Sequence, residues 1–432
     1  MKTWLRILVL GVALAGLHAW AGPTAKTLYL KCGKLIYDTE KPPLENAAIV
    51  VENGKITQVG QNVPVPAGAQ QIDLSRYTVL PGLLDAHIHL WTGPWLSHPS
   101  TPLATLRASR AMAYALSLGV VAVRVLGSND FVDVALGKAI EEGTIPGPHV
   151  VPAGHALTIP GGHGDFFDLP AEFPLQTLYT PLHGFVNSPT DAEQAVHLQI
   201  KYGARVIKVL ASGGVLSPLD SPTAEQLSPE ELRVICQQAH MANLKVAAHA
   251  ENLRSIRAAL EAGVDSIEHG PGLDDEAARF MIAHHVYLDP TLFIVENLLK
   301  NGERMHIPEY ALRKARELSV LHFASFTRAL RAGVPMAAGS DQMYGPGSGT
   351  VLDEMIALVD HGMTPVQALT AATKHNAELL GLPELGTLAT GQEASLVAVE
   401  GDPLQDIHAV KNTRFVLFRG EPVNFAGQFH WP

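Results

Sequence analysis

The sequence reads as an α/β protein whose central part is a (β/α)8 TIM-like barrel, with a small β-sandwich domain assembled from the two ends of the chain. Three observations predict this. From about Leu83 to Gly381, eight apolar strand-like runs alternate with helical patterns, the order a parallel barrel needs. Short runs of strand character separated by turns occupy both flanks. No Gly-x-Gly-x-x-Gly opens a helix after the first central strand, which removes the main support for a doubly wound sheet.

The chain begins Met1-Lys2-Thr3-Trp4-Leu5-Arg6, continues with an apolar run from Ile7 to Leu17, and reaches Ala19-Trp20-Ala21 before Gly22-Pro23. A basic start, a short apolar middle and small residues at the end describe a cleavable secretory signal over residues 1–21. The run is well short of the ~20 residues a spanning helix needs. The reading is therefore an exported protein, periplasmic or secreted, with no stable membrane insertion once the leader is removed.

Residues 22–82 form the first part of the β-sandwich domain, with strands at Thr27–Cys32, Ala47–Val51 and Lys55–Val59 and a hairpin signal at Asn53-Gly54. Residues 382–432 form its second part, with Ser395–Val399 and Phe415–Phe418 punctuated by Gly391, Gly401-Asp402-Pro403 and Gly420. Between them, residues 83–381 carry the barrel runs Leu83–His87, Val120–Leu126, His149–Ala153, Val206–Leu210, Val246–His249, Ser266–His269, Val286–Leu288 and Pro335–Ala338. Helical patterns intervene, among them Pro229–Ala242 and Asn252–Ala262. One segment breaks the rhythm: Gly154–Pro189 is rich in Gly, Pro, His and aromatic residues, and long irregular loops in compact domains are usually functional.

Composition narrows the function classes. Of 432 residues, 47% are apolar and 17% charged, which is globular rather than disordered. With 42 acidic against 31 basic residues the net charge is -11, so the chain has no electrostatic footprint for nucleic acid. The two cysteines, Cys32 and Cys236, exclude a disulfide scaffold.

The chemistry-bearing residues sit at the ends of the barrel runs. His87 and His89 are two apart on one strand, so both imidazoles face the same side and can grip one ion. His249 and His269 each close a later run, and Gly339-Ser340-Asp341 places a carboxylate after the last. Residues distant in sequence converge at the C-terminal ends of barrel strands, where such sites are built. Lys208 lies inside the apolar run Val206–Leu210. Burial depresses a lysine pKa toward a neutral, nucleophilic amine able to take up carbon dioxide as a carbamate; on its own this lysine could equally extend to a strand end or pair with a carboxylate.

Taken together, Pro81-Gly82-Leu83-Leu84-Asp85-Ala86-His87-Ile88-His89, the lysine strand running into Ser212-Gly213-Gly214-Val215, the two single-His strands, Gly339-Ser340-Asp341 and Gly391-Gln392-Glu393-Ala394-Ser395-Leu396-Val397 resemble the amidohydrolase superfamily over almost the whole mature chain. Within it the chain is similar to the binuclear zinc branch with a carboxylated lysine, which includes Xaa-Pro dipeptidases, N-acyl-amino-acid carboxypeptidases and bacterial ochratoxin-degrading amidohydrolases; Gly161-Gly162-His163-Gly164 supports that branch. The resemblance implies two divalent ions, Zn2+ in the first place: His87, His89 and Asp341 hold one, His249 and His269 the other, and Lys208 as N6-carboxylysine bridges both. A hydroxide between the ions is then the nucleophile, Asp341 moves its proton to the leaving nitrogen, and His163 hydrogen-bonds the developing oxyanion. It also implies a homo-oligomer, an octamer.

The substrate expected is a small-molecule amide with an aromatic or apolar half: an N-acyl-amino acid, a dipeptide, or ochratoxin A split to ochratoxin α and phenylalanine. Trp91, Trp95, Phe166, Phe167, Phe173, Tyr179, Phe185 and Tyr344 fall in segments that would surround the metals, and His163 and Tyr344 are the expected substrate contacts; the same aromatics could instead pack the loops onto the barrel. The alternatives are a cyclic-amide or imidazolone hydrolase and an inactive exported binding protein. One departure from the family pattern is Arg124-Val125-Leu126, where many relatives carry Arg-Asp, which predicts a missing polar contact. Asp85 and Glu268 either back the ligand histidines or, as strand neighbours, face away from them.

Overall fold

The computed structural model describes residues 27–90, 100–165, 177–344 and 348–423. The leader at 1–21 lies outside them, as do Trp91, Trp95, Phe166, Phe167 and Phe173. In chain order the strands are β1 (Thr27–Leu35), β2 (Leu44–Glu52), β3 (Lys55–Gln61), β4 (Gln70–Pro81), β5 (Leu83–Ile88), β6 (Val120–Val125), β7 (His149–Pro152), β8 (Val206–Leu210), β9 (Lys245–Ala250), β10 (Ser266–His269), β11 (Tyr287–Asp289), β12 (Leu396–Val399), β13 (Thr413–Phe418) and β14 (Glu421–Pro422). The helices that matter below are α1 (Thr101–Ser117), α2 (Val132–Glu141), α3 (Pro189–Tyr202), α4 (Pro229–Met241), α5 (Leu253–Ala262), α6 (Asp275–His284), α7 (Leu292–Asn301), α8 (Glu309–Ala332) and α9 (Val351–Asp360).

The two ends of the chain meet in one seven-stranded sheet, ordered β14-β13-β12-β4-β1-β2-β3. β12 runs antiparallel to β4, with Leu396 opposite Pro81, so the closing segment docks where the opening one hands over to β5. Asn53 and Gly54 take positive φ in the β2–β3 turn, as a hairpin of that sequence should. Leu30, Cys32, Ile49, Leu396 and Leu417 share a core of their own. At the junction with the central part, a Cβ on Gly119 would lie 2.6 Å from Val397, and its φ is +90°; both facts require glycine there.

The central strands are parallel and fall into β5-β6-β7 and β11-β10-β9-β8. β5, β6 and β8 are buried along their whole length, which explains continuous apolar runs in place of alternation. Side-chain caps fix where helices begin and hence where strands must end: Ser188, Ser228, Asn252 and Asp274 each accept a backbone N–H at the start of α3 to α6. Gly203, Gly263 and Gly333 stop α3, α5 and α8 in the left-handed conformation.

The eighth predicted run is not a regular strand. Met336 makes a single parallel bridge to Leu288, Leu288 N donates to Pro335 O at 2.9 Å and Ala86 N to Ala338 O at 3.0 Å. Pro335 has no N–H to extend the ladder. On the other side, Leu157 bridges to Val209 and Arg205 N donates to Pro152 O at 2.7 Å, tying the β7 side to β8. Among the described residues no helix is long and apolar enough to cross a membrane.

Candidate active site

Strand ends bring the predicted ligands together. Donor atoms of His87, His89 and Asp341 lie within 4.8 Å of one another, and so do those of His249, Glu251 and His269. The rings of His87 and His269 are 5.3 Å apart and those of His249 and His269 4.8 Å, so the two groups adjoin. His89 Nε2 is 3.1 Å and His87 Nε2 3.5 Å from the same Asp341 oxygen. His269 and Asp341 hold φ of +68° and +50°, a strained conformation that recurs at functional sites. Lys208 is buried beside them, and that burial pushes its amine down to about 8 although Glu268 and Asp341 pull it up.

His87, His249 and His269 are each fixed through one ring nitrogen. His87 Nδ1 pairs with Glu268 at 3.0 Å, His269 Nδ1 with the Thr291 hydroxyl at 2.7 Å, and His249 Nε2 donates to Gly213 O at 3.0 Å. Such contacts set the tautomer and leave the other nitrogen for a metal. His87 Nε2 is buried with no hydrogen-bond partner, and an orphaned polar atom in a dry site carries a desolvation cost unless a ligand meets it. Two imidazoles and a carboxylate converging on one point fit a divalent cation.

Behind these histidines runs a charged network in which Glu268, one of the two carboxylates the sequence offers as backing for them, meets Arg124. Arg124 is buried and donates to both Glu268 oxygens at 3.0 and 3.2 Å and to the Ser266 hydroxyl at 3.0 Å. Burial would raise the Glu268 carboxyl, but Arg124 and His87 hold it well below the usual carboxylate range. Asp85 accepts from Ser340 N at 2.9 Å, from the Ser340 hydroxyl at 2.6 Å and from Tyr344 at 2.8 Å, linking β5 to the loop that carries Asp341.

His249, His269 and Asp341 open onto a cleft whose polar side also includes His163, Glu251 and His322. Its apolar wall comes from Val215 and from Ile294, Leu298 and Leu318 on α7 and α8. His163 reaches the cleft with its ring stacked on His249, centroids 4.4 Å apart. Glu251 was missed, yet its signal was present: His249-Ala250-Glu251 repeats the two-residue spacing of His87-Ile88-His89, which puts both side chains on one face. One Glu251 oxygen is buried without a hydrogen-bond partner.

Tyr344, an expected substrate contact, lies elsewhere. It is fully buried, its hydroxyl donates to Asp85 and accepts from Val351 N at 3.2 Å, and it does not line the cleft. Tyr179 and Phe185 pack on each other, centroids 4.5 Å apart, and Tyr179 donates to Asp165 at 3.1 Å. Large rings in a loop serve packing as readily as recognition.

The amidohydrolase family model matches residues 78–423. Ochratoxinase of Aspergillus niger is 34% identical over 437 aligned positions, covering 94% of this chain and 89% of that enzyme. Among solved structures, a Xaa-Pro dipeptidase with methionine bound in its active site superposes with a TM-score of 0.84 at 30% identity, covering 92% of this chain and 99% of that one. The structure of Aspergillus niger ochratoxinase gives 0.81 at 32% identity, with 92% and 95% covered. Strand-end histidines, a buried lysine and a carboxylate gathered at one site are thus found on a chain that matches the family from β4 to the last described residue: it belongs to the amidohydrolase family and hydrolyses amide bonds.

Proposed function

We propose that this protein is a binuclear zinc hydrolase of N-acyl-amino acids or dipeptide-like amides with an apolar or aromatic half, ochratoxin A among them. The observation that carries the reading is the cleft: a histidine- and carboxylate-lined floor facing an apolar wall built by α7 and α8. Ochratoxinase and the Xaa-Pro dipeptidase support the same substrate class. His87, His89 and Asp341 would hold one ion and His249 and His269 the other, with Lys208 as N6-carboxylysine between them. When bound, two such ions supply Lewis acidity to the amide carbonyl and lower the pKa of water.

The chain's own residues do the rest. Burial alone would raise the Asp341 carboxyl, but His87, His89 and Lys208 outweigh it and keep it below its usual value, so it is anionic and able to take a proton for the leaving nitrogen. His163 is assigned to the carbonyl oxygen. Because its Nδ1 is occupied by Ser217, that contact falls to Nε2, which donates to the developing oxyanion from a doubly protonated ring. The apolar wall holds the side chain of the substrate and excludes water.

The remaining architecture follows the same reading. The bridges through Leu157 and Met336 support closure of the central strands into a (β/α)8 barrel over residues 83–381. Residues 22–82 and 382–432 then make the sandwich-like domain, whose single sheet encloses the core around Leu30 and Leu417. The leader composition supports export, and the family resemblance supports a homo-oligomer, an octamer.

The test is release of phenylalanine from ochratoxin A and from N-acyl-phenylalanines by purified, zinc-loaded protein, beside a panel of cyclic amides. We expect hydrolysis of the linear amides and loss of most of kcat in Asp341→Asn. Turnover confined to the rings, or none at all, would remove this substrate class.

A further inference from the structure

The loop after β8 holds a hydrogen-bonded chain that ends on His163. Asp220 accepts from Lys314 Nζ at 3.2 Å on one oxygen, and from Gln226 Nε2 at 2.9 Å and Gly214 N at 3.2 Å on the other. These three groups have no lone pair to offer in return. The Ser217 hydroxyl also contacts the first oxygen and must spend its single hydrogen there. Ser217 Oγ is then an acceptor toward His163 Nδ1, 2.8 Å away, which makes Nδ1 the nitrogen that carries the proton in this contact.

Two further features fix the ring. A Cβ on Gly214 would lie 2.2 Å from His163 Cε1, so the ring lies against a bare backbone there, and it is also stacked on His249. Lys314, in the second turn of α8, places its other two hydrogens on Gly214 O at 3.0 Å and Ser217 O at 2.8 Å. Every donor of this buried ammonium is used, and a fully satisfied buried network is rigid. The helix that walls the cleft is thereby clamped to the loop that orients His163.

Resting on the function proposed above, we propose that Ser217 and Asp220 are positioning residues: they take the Nδ1 proton of His163 and hold its ring against His249, so that Nε2 is the atom presented to the substrate. Neither residue lines the cleft. They act through His163.

The experiment is a double-mutant cycle of Ser217→Ala and His163→Ala in zinc-loaded protein, with Ser217→Thr as the conservative variant. It is read by kcat and KM on N-acetyl-phenylalanine and by calorimetric affinity for its phosphonate analogue, with metal content measured throughout. Ser217→Ala is expected to lower kcat by roughly tenfold to a hundredfold, the cost of a misplaced catalytic group, with KM and metal content little changed. Ser217→Thr should recover most of the loss, and Ser217→Ala should cost nothing more once His163 is gone, because coupled groups are non-additive. Equal and additive losses in both backgrounds, or a Thr variant as poor as Ala, would show a merely structural serine and overturn the inference while leaving the proposed function standing. If the wild type neither cleaves the amide nor binds the phosphonate, the function itself is wrong and the inference goes with it.

Discussion

Arg124 and Glu268, from strands β6 and β10, form a fully buried pair whose carboxylate also holds His87 at 3.0 Å. The guanidinium compensates a charge that would otherwise be costly to bury, and the charge in turn fixes which nitrogen of His87 faces the site. Glu268→Gln keeps the shape but removes that charge. The expected result is a metal affinity about 10–100-fold lower at the ion held by His87, measured by competition with a chelator. Arg124→Met should go further and destabilise the fold by about 3–5 kcal/mol by stranding Glu268, seen in denaturant unfolding. Wild-type metal affinity in Glu268→Gln would reduce the pair to a structural element.

Lys208 gives a pH dependence with a definite sign. Its amine is pushed down to about 8 by burial, below the roughly 10.4 of a free lysine. Carbamate formation joins the neutral amine to carbon dioxide and releases a proton, so the reactive form grows as pH rises through about 8. Recovery of metal-stripped protein by zinc and bicarbonate should therefore quicken up to that pH and level off above it. Lys208→Ala should bind less metal and show no response to bicarbonate. Metal content per chain, followed against pH and bicarbonate, reads both outcomes, and unchanged metal content in Lys208→Ala would contradict the bridge.

Gly214 offers a purely steric test. A methyl group there would fall 2.2 Å from the His163 ring, which is also stacked on His249 and tied to Ser217. Gly214→Ala should displace the ring by the order of 1 Å, enough to cost about a hundredfold in rate, while both metal ions stay bound. Activity assays beside metal analysis separate the two effects; loss of metal together with activity would mean that the loop supports His249 rather than His163.

What the sequence made legible follows from which physical signal each residue leaves. Seven central strands announced themselves as continuous apolar runs, because burial on both faces forces that composition. The eighth did so too, but Pro335 interrupts its ladder, a consequence of one missing N–H that an apolar run does not display. His87, His89, His249, His269 and Asp341 were readable because strand ends are where side chains converge. Glu268 was readable only as one of two alternatives, backing the histidines or facing away, and its pairing with Arg124 was not, because that contact joins strands of two different sheets. Ser217 and Asp220 were hidden for a related reason, since a loop serine and aspartate carry no periodic signal. Tyr344 misled in the opposite direction, its position beside Asp341 in the chain suggesting a substrate contact while its hydroxyl is used up on Asp85.

The apolar wall makes the last prediction. Leu298 on α7 lines the cleft and packs with Val215 and Ile294, and α7 is itself held at its start by Glu354, which accepts from Leu292 N at 2.9 Å and Phe293 N at 2.7 Å. Shortening this side chain removes surface from the part of the site that would meet an aromatic ring, and leaves the polar floor intact. Leu298→Ala should therefore raise KM for an N-acyl-phenylalanine about tenfold relative to an N-acyl-alanine, within the range a few methylenes contribute in an apolar pocket, with kcat nearly constant. A stability loss of about 2–5 kcal/mol accompanies it, as for other buried leucines cut to alanine, so the ratio of kcat/KM between the two substrates is the quantity to compare. If that ratio does not move, the ring of the substrate lies against some other surface, and the wall formed by α7 and α8 serves only to close the fold.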